Sequence, residues 1–125
     1  MEFFGVAEVE VDIARLQENM TIGNVCKMCG SISEVIRDDP STGEIYCVWG
    51  QFSINRENIG HGVRFSLPDC PNALAWTVTS ENKQVLVHCT TNKSTHDPDF
   101  IESIRQFVQD WTFGVTIFFA STSRA

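Results

Sequence analysis

Two cysteines in Cys26-Lys27-Met28-Cys29-Gly30 stand at a spacing that suits one tetrahedral metal or one small disulfide loop. A following glycine lets the backbone turn beneath the sulfurs. A structural zinc would need two further ligands from Cys47, Cys70, Cys89, His61, His88 or His96, none of which has the paired spacing of a second knuckle. If zinc is present, Cys26 and Cys29 hold it. A redox role would require the pair at the head of a long helix, whereas Ser31 to Ile36 reads as a strand.

A second group capable of chemistry lies on the polar phase of three strand candidates, where Arg64, Thr77 and His88 would share one sheet face with Ser66, Thr79, Gln84 and Thr90. That face offers a cation, a hydroxyl and a titratable ring to a small molecule. It also fits the solvated back of an antiparallel sheet. Nucleophilic catalysis would draw on Cys70, in a proline-flanked loop, and on three histidines, yet no spacing links them. His96-Asp97 reads as a helix cap. Gly60-His61-Gly62 is too short for a phosphate loop.

The elements that would position these residues alternate in the manner of a sheet. Residues 6–11 put Ala7, Val9 and Val11 on one side and Glu8 and Glu10 on the other, an edge-like strand with an acidic face. Asp12 then caps a short helix carrying Ile13, Leu16 and Met20. Residues 32–36 and 44–54 read as a hairpin around a polar turn, the second strand apolar on both faces and carrying Trp49. Residues 63–67, 73–79 and 84–91 supply further strands, the last two as a hairpin. From Asp97 and Pro98, a stripe of Phe100, Ile101, Ile104, Phe107, Val108 and Trp111 marks an amphipathic helix, with Gly114 expected to end it and residues 115–119 to add a strand. The expected architecture is α+β: an antiparallel sheet of five to seven strands packed against the C-terminal helix and a short N-terminal one. Residues 1–120 form one domain in this reading, and 121–125 a frayed tail.

Composition narrows the partner more than the chemistry. The 125 residues carry a net charge of -7, and residues 1–44 hold nine acids against three bases. Such a balance repels phosphate backbones, so direct nucleic-acid binding is not expected. No apolar run reaches the length of a membrane helix, and the absence of a basic, apolar leader points to the cytoplasm. The leading expectation is a small non-catalytic protein-binding domain of the inhibitor, immunity or adaptor type. Glu8 and Glu10 would steer a basic protein partner and Trp49 would anchor it, with a homodimer as another arrangement. Zinc at Cys26 and Cys29, and a small-molecule or enzymatic site at Arg64, Thr77 and His88, are the alternatives.

Overall fold

The computed structural model describes residues 1–122, and residues 123–125 of the expected tail lie outside the described residues. Strand β1 (Glu2–Ala7) is followed by α1 (Ile13–Asn19), a 3-10 turn (Ile22–Asn24) and α2 (Val25–Met28). Six strands come next: β2 (Ile32–Asp38), β3 (Thr42–Cys47), β4 (Gly50–Ile59), β5 (Gly62–Ser66), β6 (Ala75–Glu81) and β7 (Gln84–Thr90). Helix α3 (Pro98–Thr122) closes the described chain. The architecture is α+β, with one antiparallel sheet of seven strands.

Sheet order is β1-β7-β6-β5-β4-β3-β2, so the first strand pairs with the last and the other six form a meander. Between β1 and β2 the chain must therefore cross from one edge to the other, six strand spacings or ~29 Å. Both short helices lie on this crossing. Asp12 starts α1 by accepting a hydrogen bond from the Arg15 backbone N–H at 2.8 Å, as its position in the sequence predicts. The end of α1 is tied down by Arg56, whose guanidinium donates to the carbonyls of Met20 and Gln17, both at 2.6 Å.

Alternation along each strand sends one set of side chains inward. Phe3, Ala7, Val85, Val87, Cys89, Trp76, Val78, Val63, Phe65, Ile54, Ile45, Cys47 and Ile32 are all buried there. Against them α3 lays Ile104, Phe107, Val108, Trp111, Val115 and Phe119. The centre is aromatic: Trp76 meets Phe107 edge-on at 4.9 Å, while Phe65 stacks on Trp76 at 5.5 Å and on Trp111 at 5.8 Å. Each such ring withdraws apolar area worth roughly 1.5–3 kcal/mol.

Four expectations are corrected by the structure. Residues 44–54 are two strands instead of one, turning at Val48-Trp49 with Cys47 paired to Gly50 and Gly50 at φ +117°. Their apolar character on both faces hid the turn. Residues 55–59, beyond the end of the expected 44–54 strand, extend β4. Helix α3 does not stop at Gly114: it runs to Thr122, and 115–119 remain helical. Gly114 serves a different need, because a Cβ there would overlap the Met28 carbonyl oxygen, so only glycine lets α2 sit on α3. The N-terminal strand is also shifted, occupying Glu2–Ala7 with Val11 packed into the core beyond it.

Candidate functional site

Cys26 and Cys29 flank the last turn of α2, with Cys26 half-buried and Cys29 buried. The Cys29 Sγ lies 3.9 Å from the Phe107 carbonyl oxygen, and burial pushes its thiol up to about 12, disfavouring the thiolate that a metal requires. Among the described residues no group of three His, Cys, Asp or Glu side chains is placed to hold a metal ion.

Arg64, Thr77 and His88 do come together in one row. Across the solvent face the register runs Phe4, His88, Thr77, Arg64, Glu57 through five strands. Arg64 and His88 stand two strand spacings apart, about 10 Å, on either side of Thr77. Each has a partner of its own: Arg64 pairs with Glu57 at 3.2 Å, while His88 meets Glu2 at 2.9 Å and stacks on Phe4 with ring centroids 4.4 Å apart. The hollow beside Arg64, about 190 Å³, is lined by Asn55, Arg56, Glu57 and Ser66.

Glu8, Glu10 and Trp49 are not brought together. Glu8 follows the end of β1 and accepts from the Gln84 amide at 2.9 Å, and Glu10 is exposed in the following segment. Trp49 sits at the β3–β4 turn, toward the other side of the sheet. Its indole donates to the Ser103 hydroxyl at 2.8 Å and its ring packs on Phe100 and Phe107 of α3. That ring is engaged within the fold.

The N-terminal strand is an edge strand, in line with its edge-like reading, and among the described residues nothing pairs with its outer flank. The Thr91 N–H donates to the Met1 carbonyl at 3.0 Å, making Met1 and Thr91 a hydrogen-bonded pair. With the period of two in an antiparallel ladder, Phe3, Gly5 and Ala7 also bond toward β7, and the backbone groups of Glu2, Phe4 and Val6 point to the open edge. Phe4 is 60% and Val6 45% exposed there. On the inner side of the same edge, a groove of about 460 Å³ opens between β1 and α3, lined by Phe3, Phe4, Gly5, Arg105, Val108, Gln109 and Thr112. Thr112 packs directly over Gly5, where a Cβ would run into its hydroxyl. The alternation of residues 6–11 reads as edge-like, but it does not encode that β7 is the partner.

A larger polar cleft of about 660 Å³ lies between α1 and the β2–β3 turn, lined in part by Glu18, Asp38, Asp39 and Arg56. Arg56 is committed there to the α1 carbonyls, and burial lowers its pKa. Comparison with known proteins finds no match to any family model, curated protein or solved structure.

Proposed function

We propose that this chain is a small non-catalytic protein-binding domain that takes a basic protein partner along β1, with Glu8 and Glu10 steering the encounter. The open, in-register edge of β1, bearing exposed Phe4 and Val6, is the observation that carries this reading. A free edge offers backbone hydrogen bonds to an incoming strand, and side chains on its two faces give selectivity. The acids beyond its end would raise the encounter rate with a basic surface and make it sensitive to salt. Dispersal of the histidines supports the non-catalytic part: His61 lies near Glu81, His88 meets Glu2 and His96 meets the Thr91 hydroxyl.

Val6→Pro tests the reading, because it deletes an N–H that faces the open edge and leaves the ladder to β7 intact. A photo-crosslinking residue at Phe4 identifies the partner in cells, and Val6→Pro is then compared with the parent chain in binding the purified partner. At least a tenfold loss of affinity with an unchanged circular dichroism spectrum is expected. Retention of full affinity by the folded variant refutes strand addition at β1. A crosslinked partner whose binding is indifferent to Glu8→Gln with Glu10→Gln and to salt refutes the steering role.

A further inference from the structure

The two ends of the same edge differ in charge: at its start Glu2 is taken up by His88 on the solvent face while Arg105 stands on the inner side, and acids follow its far end. Arg105 lines the groove beside Phe3 and Phe4, at the start of β1, and its side chain makes no hydrogen bond or ion pair with any described residue. Glu8 lies past the other end, four to five residues further along, and Glu10 two residues beyond it. Between them the groove wall is apolar, built from Phe3, Val108 and the backbone at Gly5. An unpaired guanidinium beside apolar walls is an acceptor site for a carboxylate, and its forked donors suit that group in particular.

We infer that the β1 groove takes the free C-terminal end of a partner chain, whose terminal carboxylate docks on Arg105 while basic residues upstream meet Glu8 and Glu10. This rests on the protein-binding reading above and names the segment bound. Direction follows from the charges: only a segment running antiparallel to β1 ends near Phe3 with its carboxylate at Arg105. Extended at ~3.3 Å per residue, it reaches the level of Glu8 about four to five residues before its end. Its β1-facing backbone groups pair with those of Glu2, Phe4 and Val6, and its inward side chains lie over Val108 and Thr112. A second copy of this chain is the competing occupant: antiparallel pairing of two β1 strands about Gly5 sets Glu2 of one copy opposite Glu8 of the other, whereas pairing about Phe4 sets Glu2 opposite Val6.

The probe is a library of randomised decapeptides displayed with free C-termini, selected on the full chain. Enriched peptides are then synthesised both as free acids and as C-terminal amides. Enrichment of apolar final residues with Lys or Arg four to six positions upstream is expected. Amidation is expected to weaken binding at least about tenfold by fluorescence anisotropy, the scale of a charge-assisted hydrogen-bonded pair. Arg105→Ala, an exposed substitution expected to leave the melting temperature unchanged, should weaken the free acid equally and abolish the difference between acid and amide. Glu8→Gln with Glu10→Gln should weaken only the peptides with upstream bases. Peptides that bind at β1 equally well as amides overturn the carboxylate assignment and leave strand addition standing. Failure to enrich any free C-terminus, or a micromolar homodimer that buries β1, overturns the inference outright. The Val6→Pro comparison with the crosslinked partner judges the protein-binding reading separately.

Discussion

The two edges of the sheet are finished in opposite ways. At β2 the pairing with β3 is irregular, with register shifts between Ile32 and Glu34 and again between Val35 and Arg37. Charged side chains crowd its end: Arg37 pairs with Asp39 and, at 3.5 Å, with Glu44. Bulges and charges of this kind prevent another chain from continuing the sheet. At β1 the pairing with β7 holds an unbroken register over six residues, and the outer side chains include Phe4 and Val6. An edge left regular beside an edge so thoroughly blunted argues that the regular one has a use. Glycine marks the cover at both: Gly5 lets α3 approach β1, while Gly114 lets α2 sit between α3 and β2.

That pair of glycines supplies the largest expected effect. Gly114→Ala drives a methyl group into a backbone carbonyl, which cannot rotate away, and should cost about 2–4 kcal/mol in urea unfolding. Gly5→Ala meets side-chain atoms of Thr112 and Val108, which can shift, and should cost about 1–2 kcal/mol. If Gly5→Ala proves the worse of the two, α3 is held more rigidly against β1 than against α2.

A second effect comes from thiols beside each edge. Burial raises Cys29, under α2, and Cys89, on β7 next to β1, to about 12. In the unfolded chain these thiols ionise near their ordinary value, so between pH 9 and about 12 the folded state holds more protons than the unfolded state. Stability is thus fully present below pH 9 and falls as pH rises, by about 1.4 kcal/mol per pH unit for each thiol. Urea unfolding at pH 8 and pH 10.5 should show this slope. Cys29→Ala and Cys89→Ala should each lower it, with Cys47, also raised by burial, contributing to the remainder; an unchanged slope in both variants would mean that these two thiols ionise in the folded protein. The smallest expected effect is that of Arg37→Ala on β2. Its ion pairs are about half exposed, and the change in unfolding free energy should stay within ~0.5 kcal/mol. New self-association of that variant, followed by light scattering, would show that Arg37 protects the edge without stabilising it.

Much of the fold was legible where local rules act alone. Asp12 and Asp97 cap the helices that their positions announce, the Asp97 carboxylate accepting from the Asp99 N–H at 2.9 Å. The hairpin between β6 and β7 turns at Asn82 and Lys83, both at positive φ, as a two-residue turn demands. The Arg64, Thr77 and His88 row followed from strand parity, which is a local property. Trp49 was ambiguous for a physical reason: an aromatic residue in an apolar strand reads equally well as a surface anchor or as a core contact. Only the position of Phe100, Ser103 and Phe107 decides.

By itself, the sequence determined the α+β class, the antiparallel pairing of successive strands and the apolar stripe of α3. Period, caps and turn residues act over a few positions, and a linear chain displays them. Tertiary structure alone decided that β1 joins β7, because the paired residues, from Glu2 with Thr90 to Ala7 with Val85, lie at opposite ends of the sheet-forming sequence. It also gave Gly114 a neighbour in Met28 instead of a helix end, and set Arg105 beside an open strand. These outcomes depend on which surfaces meet across the core, and no local pattern encodes that choice.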